Sequence, residues 1–150
     1  MKQLLVLPVV TMSVNSMYYG DKRHGKTAAA KEWSEQVLQA LSRYKSELKQ
    51  FRDYFEPSRH IYSVSIEMLV PHDTLYTKKG ELTSKVHDLS NIEKPIVDLL
   101  FLPKFFEYCE NLNIDDRYLG ELRSLKTPTL DTWGVNVIIE IKNKPELKSA

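Results

Sequence analysis

The stretch HIYSVSIEML, residues His60–Leu69, alternates between two kinds of side chain. Tyr62, Val64, Ile66 and Met68 fall on one side; Ser63, Ser65 and Glu67 fall on the other. A period of two makes this a β-strand with one buried face. WGVNVIIEIK, residues 133–142, repeats the pattern, with Trp133, Val135, Val137, Ile139 and Ile141 on one face. A sheet with one apolar face needs a covering layer. The sequence supplies it upstream: Trp33, Val37, Leu41, Tyr44, Leu48, Phe51 and Phe55 recur at steps of three and four. That stripe predicts one long helix, capped by Thr27 and stopped by EPSR at residues 56–59, with its aromatics in the core.

Further elements follow from the same reasoning. Residues 3–10 are apolar and predict a buried strand. Pro8 and the lack of a small-residue cleavage site argue against a secretory signal. The segments Ser13–Lys26 and Pro71–His87 are polar and read as loops. A helix with Ile96, Leu99 and Leu100 on its apolar face follows, ended or kinked by Pro103. KFFEYCENL, residues 104–112, reads as a second short helix. NIDDRYLGELRSLK leads from a turn into a strand with Tyr118, Gly120, Leu122 and Ser124 opposite Leu119, Glu121, Arg123 and Leu125. TPTLDT then serves as a connection, and the tail after Asn143 is loose. The expected order is β-α-β-α-α-β-β. This is an α/β or α+β class: a small mixed β-sheet of about four strands with helices packed on it.

The chain of 150 residues suits a single domain over 1–150, and its 42% hydrophobic and 27% charged residues match a globular protein. No apolar run is long enough to span a membrane. One cysteine, Cys109, excludes an intramolecular disulfide and reads as a small buried hydrophobe in a reducing, cytoplasmic compartment. His24, His60, His72 and His87 make no zinc spacing. The net charge of +1 leaves nucleic-acid binding to local patches.

The chemistry concentrates in HDLSNIEKP, residues His87–Pro95. Part of it reads as a capping box, with Ser90 or Asn91 as N-cap and Glu93 in the first turn. Capping leaves Asp88 and Lys94 without a role. A second acidic site, Asp115 and Asp116, stands at the entry to a strand. Acids at a helix start and a strand start can converge at one sheet edge. Hard cations such as Mg²⁺ take such carboxylates and keep positions for water and phosphate. A nearby Lys neutralises charge that develops on the phosphate. Together these are the parts of a metal-assisted phosphodiester hydrolase.

The combination of SVNSMYY, HDLSNIEKPIVDLL and NIDDRYLGELRSLK, in this order and followed by a closing strand, resembles the RusA family of Holliday-junction resolvases. The resemblance extends from about Ser13 to Ile141. It implies a small homodimeric, Mg²⁺-dependent endonuclease, frequently phage- or prophage-encoded, that nicks two strands of a four-way DNA junction in recombination and repair; Mn²⁺ is the alternative ion. The family's central motif has an Asp, usually a second Asp two residues on, then an Asn, then a Lys three residues later. Asp88, Asn91 and Lys94 match the first acid, the Asn and the Lys, and Asp116, with Asp115 beside it, matches the acid before the later strand. The resemblance thus implies Asp88 and Asp116 as metal ligands and Lys94 as the group that orients or stabilises the phosphate. Ser90 stands where many members have the second Asp, and a neutral hydroxyl is a weaker ligand. Glu93, Asp115 and His87 are the neighbours available to compensate. FLPKFFEYCENLN, between the motifs, is longer than usual in the family.

Junction binding needs cations along a phosphate track. One loop offers Lys22, Arg23 and Lys26 beside Tyr18, and another offers Lys78, Lys79 and Lys85. Such loops follow phosphates, and their aromatics stack on unpaired bases. Asn15, in the first loop, reads as a brace for the active site or as a turn residue. A two-fold junction favours a two-fold enzyme, hence a homodimer. Two other readings stay open: a junction-binding protein without cleavage, and a metal-dependent nucleotide phosphohydrolase.

Overall fold

The computed structural model describes residues 1–12, 18–19, 25–83, 89–101 and 111–149, with the backbone alone for 18, 19, 25, 26 and 90. Its sheet contains β1 (Lys2–Leu7), β4 (His60–Pro71), β5 (Leu119–Thr129) and β6 (Gly134–Asn143), and a separate two-residue ladder joins β2 (Tyr18–Tyr19) to β3 (Gly25–Lys26). The helices are α1 (Ala28–Ser42), α2 (Lys45–Tyr54), the single turn α3 (His72–Leu75) and α4 (Leu89–Phe101); a 3-10 turn at Asp116–Tyr118 leads into β5. Strand order in the sheet is β1-β6-β4-β5. β6 is antiparallel to both of its neighbours, whereas β4 and β5 are parallel. The architecture is therefore the expected four-stranded mixed sheet of the α+β class.

The alternation of β4 and β6 becomes two faces. Tyr62, Val64, Ile66, Met68, Val135, Val137 and Ile139 are fully buried. Trp33, Val37, Leu38 and Leu41 of α1, Leu48 and Phe51 of α2, and Ile92, Ile96, Leu99 and Leu100 of α4 close over them in one core. Each such side chain stabilises the fold by roughly 1.5–3 kcal/mol. Tyr62 lies at the centre, stacked on Phe55 at 4.3 Å and edge-on to Phe101 at 5.5 Å. Its hydroxyl donates to the Phe51 carbonyl at 3.4 Å, and burial raises its pKa well above the usual phenol value.

Three expectations require correction. The helix expected over residues 27–55 is two helices. Arg43 N–H donates to Ala40 and Tyr44 N–H to Leu41, tightening the chain into an i→i−3 turn before α2 restarts. The turn lets the Tyr44 hydroxyl accept from Val6 N–H at 3.0 Å, on the outer edge of β1. The expected connection TPTLDT begins inside β5, which runs to Thr129. Pro128 is tolerated there because β5 is an edge strand. The residues expected at the N-cap fall inside the helix: Ser90 and Asn91 lie within α4, Pro95 is internal to it, and the Glu93 carboxylate accepts from Ser124 Oγ at 2.5 Å.

The pairing Tyr62↔Leu119 followed by Ser63↔Glu121 leaves Gly120 as a bulge at the start of β5. A Cβ there would lie 2.5 Å from Ile61 Cδ1 and 3.0 Å from Ile61 Cβ. Glycine permits this approach. The short helix expected at residues 104–112 falls mostly outside the described residues, as do Pro103 and Cys109; Asn111 and Leu112 are not helical. Residues 144–149 have no regular structure and are exposed. Among the described residues, no helix is long and apolar enough to cross a membrane.

Candidate metal centre and nucleic-acid surface

After Phe101 the described chain resumes at Asn111, and it is fastened to the end of α4. Leu112 N–H donates to Leu100 at 2.8 Å and Ile114 N–H to Phe101 at 3.0 Å. The Asn111 side chain donates to the Leu99 carbonyl at 2.8 Å and accepts from Asn113 N–H at 2.8 Å. These bonds use carbonyls that the end of a helix leaves unpaired. Arg52 of α2 holds the Asn111 carbonyl from the other side at 2.8 Å. Asn113 has φ +47°, a left-handed conformation that Asn tolerates better than most residues.

This anchor fixes the acidic turn that follows. Asp115 caps the 3-10 turn, its Oδ1 accepting from Arg117 N–H at 2.8 Å. Its second oxygen remains available. Asp116 is exposed, and its carboxylate makes no hydrogen bond or ion pair among the described residues. The Arg117 guanidinium lies 5.0 Å from the ring centre of Tyr118, whose inner side packs on the core. An anchored backbone that bears an unpartnered carboxylate fits a hard cation.

Lys94 stands on α4, and its ammonium pairs with Asp98 at 3.3 Å. The pair is directed toward the C-terminal half of the helix, the end to which the acidic turn is fastened. The Lys94 side chain is 58% exposed and that of Asp98 18%; with the Lys first, the weaker i,i+4 orientation, the pair is worth only a few tenths of a kcal/mol. A phosphate can therefore compete for the ammonium. Asp98 was not singled out by sequence reasoning, although its spacing from Lys94 is a readable signal.

The geometry departs from the expectation that a helix start and a strand start meet. α4 and β5 run in opposite directions: Glu93 meets Ser124 partway along β5, while Ile114 meets Phe101. The start of α4 is about 18 Å along its axis from that end. Among the described residues, no three His, Cys, Asp or Glu side chains form a metal-binding group. Asp88, the other expected ligand, lies outside the described residues, as do His87, Asn15, Lys22, Arg23 and Lys85. For Ser90, Tyr18 and Lys26 only the backbone is described. Asn91 is half-buried on α4.

The second basic loop has a defined tip. Tyr76 and Leu82 bridge, Thr77 N–H donates to Glu81 at 2.7 Å, and Gly80 closes the turn with φ +82°. Lys78 and Lys79 are exposed at this tip. Lys78 also lines an open groove with His72, Tyr76 and Thr83. No protein-family model matches the chain, and no curated protein sequence matches it.

Proposed function

We propose that this chain is a Mg²⁺-dependent, structure-selective DNA endonuclease of the RusA type. On this reading it works in the cytoplasm as a homodimer and resolves four-way junctions by paired nicks during recombination and repair. The observation that carries the reading is the Asp116 carboxylate, without a partner among the described residues, on a turn anchored to the end of α4, the helix that also bears Lys94. Asp116 and the free oxygen of Asp115 would hold the ion at the end of α4 where the acidic turn is fastened. A bound divalent ion polarises a phosphoryl oxygen and makes its water a better nucleophile. Lys94 would stabilise charge on the phosphate, and Lys78 and Lys79 would track the backbone of a DNA arm.

The test is a four-way-junction gel shift without metal, followed by addition of Mg²⁺. Binding followed by paired nicks is the expected result. Binding with no nick would favour a junction-binding protein, the reading that Ser90 in place of a second acid supports. Absence of both would leave a nucleotide phosphohydrolase.

The hairpin tip supports a separate expectation. Lys78→Ala combined with Lys79→Ala should weaken junction binding and reduce its log–log salt slope by up to about 1.8, at about 0.9 per lost phosphate contact. A slope equal to the wild type would remove the tip from the DNA-binding surface.

A further inference from the structure

All described helices that build the core lie on one face of the sheet. The other face carries Lys2, Leu4 and Val6 of β1, Asn136, Ile138, Glu140 and Lys142 of β6, Ser63, Ser65 and Glu67 of β4, and Glu121, Arg123 and Leu125 of β5. Leu4, Val6 and Leu125 are 48%, 48% and 49% exposed, unusual for large apolar groups within strands. Three cations and three carboxylates share this face, so it offers no net positive charge to nucleic acid. We infer that this open face is the surface on which two copies of the chain associate, sheet against sheet, with the two-fold axis parallel to the strands.

The register supplies the argument. A two-fold axis parallel to the strands sets β1 of one copy over β5 of the other, and β6 over β4, while each cross-strand row stays at its own level. One row reads Lys2, Glu140, Ser63, Glu121; the next reads Leu4, Ile138, Ser65, Arg123; the third reads Val6, Asn136, Glu67, Leu125. Reversing each row over itself brings Lys2 to Glu121 and Val6 to Leu125, and sets the Asn136–Glu67 pair, hydrogen-bonded within each protomer at 3.1 Å, over its counterpart. Leu4 meets the aliphatic stem of Arg123, and Ile138 covers Ser65. An axis across the strands through the middle of the sheet, at Leu5 and Ile66, would instead place Lys2 near Pro8 and Ser65 against Glu67. Glu121 already pairs with Lys142 at 3.3 Å and Arg123 at 3.4 Å within its own chain, and Lys2 of the second copy would join this charged group. The Ser63 hydroxyl at 2.9 Å, and then Lys142 at 3.3 Å, hold the Glu121 carboxyl below the usual range.

The area is adequate. Strands of 6, 12, 11 and 10 residues present roughly 600 Å² of projected face at a rise of about 3.3 Å and a spacing of about 4.8 Å. Accessible area exceeds projected area, which brings the contact near the ~800 Å² per partner of a stable complex. Stacked sheets of this kind pack about 10 Å apart. The same axis keeps both acidic turns at one end of the dimer, where a two-fold junction would meet both. This inference specifies the homodimer of the proposed endonuclease, but it is read from the sheet and its test measures association.

Light scattering on the size-fractionated full chain at tens of micromolar should give twice the 17.5 kDa protomer mass. Val6→Asp and Leu125→Asp should each lower the association constant about 100-fold or more, because every dimer would bury two carboxylates. Both side chains are half exposed in the protomer, so circular dichroism and the melting temperature should change little. In a Cys109→Ser background, Val6→Cys with Leu125→Cys should give a covalent dimer on oxidation, and Val6→Cys alone should not. A monomeric wild type, or a dimer that survives both Asp substitutions, would overturn the inference. Junction cleavage by a monomer would overturn it while leaving the nuclease reading intact. A dimer broken by these substitutions supports it even if no junction is cut.

Discussion

Asp116→Asn should lower junction cleavage by 10³-fold or more while sparing junction binding. The Asn keeps the size of the side chain and one carbonyl oxygen but removes the negative charge. A divalent ion held by few carboxylates then binds poorly, and its Lewis-acid contribution falls with its occupancy. The fold should be indifferent, because the Asp116 side chain is exposed and its carboxylate makes no hydrogen bond or ion pair among the described residues. DNA affinity comes chiefly from basic groups, so removing an acid near phosphate should preserve or raise it. Single-turnover cleavage of a labelled junction across a Mg²⁺ titration, with gel shifts in Ca²⁺, separates the two effects. Cleavage at the wild-type rate in ordinary Mg²⁺ would place the chemistry elsewhere.

The second large effect should come from Lys94→Ala, with cleavage reduced by about 10²–10³, on the order of 3 kcal/mol of transition-state stabilisation. Its Mg²⁺ dependence should match the wild type, unlike that of Asp116→Asn. The structure adds a control. Asp98→Asn releases the ammonium from its ion pair at 3.3 Å and should change cleavage by no more than about threefold. If Asp98→Asn loses as much activity as Lys94→Ala, the ammonium acts through its pairing with Asp98 and not on the phosphate. Thermal melts of both variants should stay close to wild type, since the Lys94 end of the pair is exposed and the pair is weak.

The strands that build the core were legible because their signal is local. Val64 and Ser65 differ so sharply in polarity that a one-residue slip would invert every side chain of β4. The break between α1 and α2 was not legible, because the apolar stripe runs through Tyr44 without a missed step. The turn there is tied to Val6, 38 residues away in sequence, and no window of residues contains both partners. Pro128 misled in the opposite sense: a strand breaker by composition, it is harmless at an edge. At the candidate site, Asp115 and Asp116 were read correctly as the entry to a strand, and Lys94 as helical. The end of α4 that receives the acidic turn depends on the bonds of Asn111, Leu112 and Ile114. Those are backbone and amide contacts with no hydrophobic period to announce them.

The two borders of the sheet bear on how the protein behaves when concentrated. An exposed strand border is a template on which other chains can add indefinitely, the route to fibres and aggregates. Here one border has a donor already occupied, the Val6 N–H held by the Tyr44 hydroxyl. The other border is interrupted at Pro128, where an incoming strand finds no N–H to accept. Each border thus carries a local obstacle to strand addition, an occupied donor at Val6 and a missing one at Pro128, so neither edge offers an added strand a continuous row of donors.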